Sequence, residues 1–167
     1  LPLTENVILQ RYDQAPFSSR GMLRFGEITE HTRDLIRRFK VKASHPGEAI
    51  QNLSGGNQQK LVVARELARN PDFLLINQLT RGIDIGATEL VMQEVLKQKE
   101  KGKAILLIST ELEELFAICD RILVMFEGQF LGEVPPDRAR LEEIGLLMAG
   151  NREEAERLHN RAGAIEA

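Results

Sequence analysis

The chain has 167 residues, of which 43% are hydrophobic and 28% are charged, and its formal net charge is −3. This composition is typical of a soluble globular protein, and the slight acidic excess disfavours nucleic acid as the main partner, since domains that bind it usually carry a basic excess. The single cysteine, Cys119, excludes an internal disulfide and fits a reducing compartment, and no run of about 18 apolar residues is present to span a membrane.

The first part of the chain, to about residue 51, has a helical pattern interrupted by loops. Thr4 is expected to cap a short helix that runs to Gln10, and residues 16–20 are expected to form a loop. The apolar spacing predicts a second helix over residues 26–40. A His-Pro-Gly sequence at residues 45–47 then breaks the pattern.

From residue 61 onward, helices and strands alternate. The predicted elements are a helix at 61–68, a strand at 73–76, a helix at 87–101, a strand at 104–108, a helix at 111–119, a strand at 121–126, a hairpin turn at Glu127-Gly128, a strand at 129–134 and a helix at 141–148. This order predicts an α/β fold with a mostly parallel sheet. The charged tail at residues 150–167 is poor in large apolar side chains and is expected to be a loose helix or disordered.

A polar, glycine-rich stretch precedes the helix predicted at residues 61–68. It runs from Leu53 to Lys60 with the sequence Leu-Ser-Gly-Gly-Asn-Gln-Gln-Lys. Ser54 suits an N-cap whose hydroxyl accepts a free N–H of the helix, and Gly55 and Gly56 lack a Cβ that would keep a ligand from the backbone. The free N–H groups and the positive end of the helix dipole attract anions. The residues alone leave two interpretations open, a phosphate-facing helix terminus or a simple cap preceded by two glycines.

Polar pairs end two of the predicted strands. Asn77-Gln78 follows the strand at 73–76, and Ser109-Thr110 follows the strand at 104–108. Ligands of open α/β sheets bind beyond the carboxyl ends of the strands. Loops that open there must be polar in any case, so these pairs are either ligand-facing groups or ordinary loop residues.

The stretch from Leu53 to Lys60 resembles the signature motif of ATP-binding cassette (ABC) ATPases, in the variant found in carbohydrate and nucleoside importers. Further motifs follow in the order of that family. Asn77-Gln78 stands where the Walker B Asp-Glu ends a strand, residues 80–84 resemble the D-loop, and Thr110 takes the place of the switch histidine. The resemblance covers nearly all of residues 1 to about 150, and this part of the chain is similar to the second cassette of a fused two-cassette importer subunit.

The resemblance implies a P-loop, G-x-x-x-x-G-K-[ST], which holds nucleotide phosphates. The only spacing match runs from Gly21 to Gly26, and it is a false one because Glu27 replaces the lysine and no strand precedes it. We therefore expect the P-loop strand to precede Leu1, and we expect this chain to be the C-terminal part of a cassette. The expected parts are a partial helical subdomain at 1–52, the signature helix and the C-terminal part of the P-loop NTPase core at 53–149, and the charged tail at 150–167.

The Walker B position departs from the family pattern. Asn77 replaces the aspartate that helps to hold Mg²⁺, and an amide oxygen is a poorer ligand for a hard cation than a carboxylate. Gln78 replaces the catalytic glutamate, and loss of a general base costs about 10²–10⁴ in rate. Thr110 offers a hydroxyl in place of an imidazole, so we expect a hydrolytically weak site. Natural degeneracy or engineering could explain the two amides, and the departures at Leu79 and Thr110 favour the natural origin.

Cassettes of this family pair head to tail, so the resemblance implies that the signature binds the ATP held by the P-loop of the other cassette. The implied signature residues are Leu53, Ser54, Gly55, Gly56, Asn57 and Gln58. Asn77, Gln78 and Thr110 would line the weaker site, and Asp84 of the D-loop would lie at the dimer seam. The implied cofactors are ATP and Mg²⁺ at composite sites. The implied partners are the other cassette, the transmembrane permease subunits and, indirectly, a solute-binding protein, at the cytoplasmic side of the cell membrane.

Two other functions compete with an importer for sugars or nucleosides. A non-transport ABC ATPase predicts a basic surface or a long coiled-coil insertion before the signature, and the sequence shows neither. A non-hydrolytic regulatory dimerisation half is compatible with the amides at Asn77 and Gln78. For the isolated chain we expect no ATPase activity. Where the strands at 73–76 and 104–108 need cover, we expect an open sheet edge or a compensating contact.

Overall fold

The computed structural model describes residues 1–78, 80 and 85–163, except for the side chains of residues 85, 87 and 160–163. Leu79 and most of the predicted D-loop, Asp84 included, lie outside the described residues. The chain divides into two compact units, Leu1–Leu106 and Leu107–Ala167. The domain boundary expected at residue 52 stays a prediction.

The first unit contains four helices among its described residues. They are α1 (Leu3–Ile8), α2 (Phe25–Arg38), α3 (Gly55–Ala68) and α4 (Ile85–Glu100), with a 3₁₀ turn at Ile50–Asn52. Its strands are β1 (Ser18–Ser19), β2 (Met22–Leu23), β3 (Phe73–Asn77) and β4 (Ala104–Ile108), the last of which continues past the unit boundary at Leu106. The short antiparallel pair of β1 and β2, with Ser18 opposite Leu23, lies partly within the segment predicted as a loop.

Helices α1, α2 and α3 share one hydrophobic core. Leu3 and Phe39 are fully buried, and Leu35 and Leu61 are nearly so. The burial of Leu3 explains why α1 begins two residues earlier than expected, so that Thr4 lies inside the helix and does not cap it. The N–H of Leu3 donates instead to the carbonyl of Glu48 at 2.9 Å. The helix also ends at Ile8, before the predicted Gln10.

Strands β3 and β4 are neighbours in a parallel sheet and are connected through α4. A helical connection of this kind is what neighbouring parallel strands require. One face of β3 is exposed, since Phe73 is 56% and Leu75 is 62% accessible while Leu74 between them is buried. Leu106 of β4 is 48% accessible. Apolar side chains of both strands therefore face solvent.

The second unit consists of a β-hairpin and helices. Its elements are α5 (Leu112–Ile118), β5 (Ile122–Phe126), β6 (Gln129–Val134), a 3₁₀ turn at Arg138–Arg140, α6 (Leu141–Met148) and α7 (Arg152–Gly163). The predicted hairpin is confirmed, with β5 and β6 antiparallel and Ile122 opposite Val134. Glu127 and Gly128 in its turn have positive φ angles of 46° and 79°, as a two-residue hairpin turn of type I′ requires.

The core of the second unit lies between the hairpin and α6. Val124 and Val134 of the strands pack in one cluster with Ile144 and Leu147 of the helix. The described part of the charged tail forms α7 from Arg152 onward, and Ala155 of this helix is buried in the same cluster. None of the helices among the described residues has the length and hydropathy needed to cross a membrane.

Candidate functional site

The glycine-rich stretch forms the first turn of α3. Ser54 occupies the N-cap position with extended backbone (φ −60°, ψ 154°), and the helix begins at Gly55. The predicted start at residue 61 is wrong. The two glycines disfavour a helix by propensity, but tertiary packing overrides that preference. Leu53 and Leu61, both buried in the core of the first unit, hold the backbone on either side of the turn. Gly55 and Gly56 therefore lie inside the helix and not in a turn before it.

The hydroxyl of Ser54 does not cap the helix as predicted. Ser54 has the N-cap position but makes no side-chain bond to a backbone N–H, and its Oγ accepts a hydrogen bond from Asn57 Nδ2 at 2.8 Å. The first N–H with an intrahelical acceptor is that of Gln58, which donates to the Ser54 carbonyl at 2.9 Å. The N–H groups of Gly55, Gly56 and Asn57 have no intrahelical acceptor, and the described residues supply no other.

Two side-chain amides brace this turn. Asn57 Oδ1 accepts the backbone N–H of Lys42 at 2.9 Å, which ties the segment after α2 to the start of α3. Gln58 Nε2 donates to the carbonyl of Leu53 at 2.9 Å. Lys60 is buried and its Nζ lies 3.5 Å from the carbonyl of Lys40. The Lys60 ammonium thus faces a backbone carbonyl of the same chain.

The first turn of α3 is open to solvent. Ser54 and Gly55 are exposed, and a Cβ built on Gly55 would meet no atom within 4 Å. Three free N–H groups, a hydroxyl and the positive end of the helix dipole thus lie on an accessible surface. This arrangement can bind an anionic oxygen.

The predicted Walker B residues lie at the end of β3. Asn77 is its last residue and is exposed, and Gln78 follows with a φ of 55°. A side-chain-bearing residue in this left-handed region makes a sharp turn at a cost of order 1 kcal/mol. Both side chains are uncharged amides, and the described residues contain no group of three His, Cys, Asp or Glu that could hold a metal. Uncharged amide oxygens are poorer ligands for Mg²⁺ than carboxylates, so no metal-dependent step is assigned to this position.

Thr110 belongs to the second unit, whereas Asn77 and Gln78 belong to the first. Thr110 is exposed and lies just before α5. The preceding Ser109 accepts the N–H of Glu111 through its Oγ at 2.9 Å, which shapes the turn that presents Thr110. Asp84 lies outside the described residues, so a joint site of these residues stays a prediction.

Two features of the first unit were not predicted from the sequence. The Lys42 N–H that holds Asn57 is a backbone group, and a sequence pattern carries no signal for such a partner. The other is Glu94 of α4, whose side chain is 5% exposed and contacts Arg38 and Lys97. Burial acts to raise the pKa of Glu94, but hydrogen bonds from Lys97 and Arg38 outweigh it and hold that pKa below its ordinary value.

No protein-family model matches the chain. It is 45% identical over 150 residues to the guanosine import ATP-binding protein NupO of Bacillus subtilis, a match that covers 90% of this chain and 29% of that protein. It is 41% identical over 150 residues to the nucleoside import ATP-binding protein NupA of Lactococcus lactis, with 90% and 30% covered. The chain therefore spans less than a third of the length of these curated relatives.

Solved structures of ATP-binding cassettes are similar to this chain in fold. A dimeric ATP-binding cassette in a post-hydrolysis state with ADP and phosphate is 26% identical, with a TM-score of 0.68, and the match covers 82% of this chain and 57% of that one. A nucleotide-free cassette from an ABC transporter, at 20% identity, has the same fold with a TM-score of 0.65 over 86% of this chain and 58% of that one. These structures confirm the predicted α/β fold of a P-loop NTPase, and β3 and β4 form the parallel strand pair in the described part of this chain.

Proposed function

Because this chain belongs to the ATP-binding cassette (ABC) ATPases, we propose that it supplies the signature motif in an ATP-driven importer of nucleosides or sugars. The observation that supports this role is the exposed first turn of α3, where Gly55, Gly56 and Asn57 keep free N–H groups. The names of the relatives favour the importer, since two of them are import proteins for guanosine and for nucleosides.

The proposed chemistry is phosphate binding in trans. The Ser54 hydroxyl and the N–H groups of Gly55 and Gly56 would donate to a phosphate oxygen of an ATP that another cassette holds. Hydrogen bonds to a charged oxygen each contribute about 1.5–3 kcal/mol. These bonds form only when the two cassettes close on ATP, so nucleotide binding drives their association. Mg²⁺ would accompany the ATP at this composite site and offset part of the phosphate charge.

The chain's own Walker B position would serve a second, weaker site. Asn77 would be a weak metal ligand and Gln78 a poor base, because neither amide carries a negative charge. Thr110, in the switch position, would line this site, and Asp84, in the D-loop, would lie at the dimer interface and couple the two sites. The division of labour between a competent site and a weak site follows from these residue types.

We also propose a peripheral place on the cytoplasmic side of the membrane, in contact with transmembrane permease subunits. Residues 1–52 would form the helical subdomain that presses on those subunits. Tyr12, Met22 and Phe25 in this segment are 58%, 71% and 70% exposed, so large apolar side chains are available there for contact with another protein. The solute-binding protein would act indirectly through the permease, and nucleic acid is not a proposed partner.

One alternative has specific support. The uncharged side chains of Asn77 and Gln78 also suit a regulatory dimerisation half that takes no part in hydrolysis. Nucleotide affinity and turnover of the importer complex separate the two proposals. An importer half must raise ATP turnover when it pairs with its partner cassette, and a purely regulatory half need not.

The test compares two substitutions in the assembled importer, meaning the ATP-binding protein that carries this chain together with its permease. Ser54→Arg fills the phosphate position with a long side chain and should abolish transport and most ATP turnover. Gln78→Glu should change both little, because the weak site does not limit turnover. Val62→Arg, at an exposed position of the same helix, is the control for the added charge. Equal and severe losses from Ser54→Arg and Gln78→Glu would refute the division of labour.

A further inference from the structure

The side chain of Asn57 contacts two polar groups of the chain at once. Its Oδ1 lies 2.9 Å from the backbone nitrogen of Lys42, and its Nδ2 lies 2.8 Å from Ser54 Oγ. Asn57 is half-buried, whereas Ser54 is exposed. The amide thus stands behind the serine, between its hydroxyl and the backbone after α2.

These two contacts determine the direction of both hydrogen bonds. A backbone N–H can only donate, so the Asn57 atom that faces Lys42 must be the oxygen. The atom that faces Ser54 is then the NH₂ group, which also can only donate. Ser54 Oγ must therefore accept, and its own proton cannot point toward Asn57. No other described group accepts that proton, so it remains available on the exposed side.

We propose that Asn57 is a positioning residue that keeps the Ser54 hydroxyl as a hydrogen-bond donor toward a phosphate oxygen. The inference rests on the proposed function, because it requires a phosphate at the first turn of α3. It adds a role for the amide itself. The backbone N–H of Lys42 fixes the orientation of the Asn57 amide, and this amide makes the Ser54 hydroxyl accept on one side and donate on the other. A carboxylate of the same shape would reverse the direction of the hydrogen bond between residue 57 and the Ser54 hydroxyl.

Asn57→Asp isolates this role with little effect on the fold. The aspartate keeps the shape of the side chain and can still accept the Lys42 N–H. An acid in the first turn of a helix also interacts favourably with the helix dipole. The aspartate can only accept hydrogen bonds, however, so the Ser54 proton turns toward it and Oγ presents lone pairs to the phosphate.

The experiment is a double-mutant cycle on ATP hydrolysis by the assembled importer, with Ser54→Ala, Asn57→Asp and the pair combined. We expect Asn57→Asp to lower kcat/KM by about 10- to 100-fold in the original background, the size expected for loss of a hydrogen bond to a charged group. In the Ser54→Ala background the same change should lower it by only a few-fold, since the serine proton is already absent. Coupling of this size is the mark of two residues that act together.

The added charge at residue 57 also repels ATP, and the cycle separates that effect from the proposed one. Charge repulsion is present in both backgrounds, so equal losses in the two would overturn the proposal. A Ser54→Ala protein with unchanged kcat and KM would overturn it as well. Asn57→Ala, which adds no charge, should lower kcat/KM by a larger factor with Ser54 present than in the Ser54→Ala background.

The failure of this inference is distinguishable from the failure of the proposed function. If Ser54→Arg abolishes turnover but the cycle is additive, the signature role stands and the positioning role of Asn57 is wrong. If Ser54→Arg leaves turnover intact, the proposed function is wrong and the inference falls with it. Thermal unfolding of each variant identifies a loss of folded protein, and Asn57→Ala provides a second cycle if Asn57→Asp is unstable.

Discussion

Arg38 Nε donates a hydrogen bond of 3.0 Å to Glu94 Oε2 and so joins the C-terminal end of α2 to the middle of α4. Lys97 Nζ lies 2.7 Å from the other carboxylate oxygen of Glu94. The Glu94 side chain is 5% exposed, whereas that of Arg38 is 40% exposed. A nearly buried carboxylate with two cationic partners therefore connects helices through residues that are 56 positions apart in sequence.

The first prediction concerns this bridge. Glu94→Ala should lower the free energy of unfolding by about 2 kcal/mol, because it removes charge-assisted bonds from a buried position. Glu30→Ala, which breaks an exposed pair with Arg33, should change it by less than about 0.5 kcal/mol. Urea unfolding of the two proteins measures both values. Similar small changes would show that the Arg38–Glu94 pair does not hold α2 to α4.

The second prediction concerns pH. Burial, followed by the charge of Arg11, lowers the pKa of His31 below its ordinary 6.5, while Asp34 opposes the shift. The unfolded chain then binds a proton on His31 at higher pH than the folded chain does. By linkage, stability is full above about pH 6.5 and falls as the pH drops below it. Glu94, with its lowered pKa, adds a second loss that begins near its ordinary value of 4.5.

Unfolding free energies measured from about pH 8 to about pH 3 check these signs. His31→Gln should remove the upper step, because glutamine does not titrate, and Glu94→Gln should remove the lower one. The Asp72 carboxyl is fully exposed and should contribute little. A stability that rises as the pH falls from about 6.5 would contradict the direction given for the pKa of His31.

The third prediction compares two glycines of the second unit. Gly150 has a φ of +80°, and a Cβ at that position would lie 2.7 Å from Phe126 Cε1. Gly150→Ala should therefore destabilise the protein by about 1–3 kcal/mol through backbone strain and overpacking. Gly145 lies inside α6, where a Cβ would meet no atom within 4 Å, so Gly145→Ala should stabilise the protein by about 0.5–1 kcal/mol. Thermal unfolding should shift in opposite directions for the two variants.

The fourth prediction concerns the chain by itself. The 167 residues contain no G-x-x-x-x-G-K-[ST] sequence to hold phosphates, and Asn77 and Gln78 lack the charges that support hydrolysis. We expect no phosphate release from ATP above background, with or without Mg²⁺, and only feeble nucleotide binding. A phosphate-release assay on the purified chain checks this. Robust magnesium-dependent turnover would contradict the assignment of Gln78 as a hydrolytically weak position.

The later elements were predictable because their signals are local. The apolar run at β4 is flanked by polar residues, and the Glu127-Gly128 turn joins two strands of suitable length. The start of α3 was not predictable in the same way. Gly55 and Gly56 disfavour a helix by propensity, and only the burial of Leu53 and Leu61 against α1 and α2 extends it to Gly55.

Prediction from local sequence signals has the same limit at the candidate site. Ser54 was expected to bond the helix backbone, as an isolated helix terminus would. Asn57 Nδ2 donates to its Oγ instead, because the Lys42 backbone holds that amide in place. The pattern identified the residues of the turn but not the partners that decide which of them donates.

The amino-acid sequence was sufficient to predict the fold class, the order of the elements after residue 61 and the family to which the signature stretch belongs, because these depend on periodicity and on residue type at fixed spacing. Packing in three dimensions was needed to establish where α3 begins, which groups of its first turn remain free and how α2 is joined to α4. Hydrogen bonds between Lys42 and Asn57, and between Arg38 and Glu94, connect segments that lie far apart along the chain and meet only when the core packs. No local pattern encodes those distances.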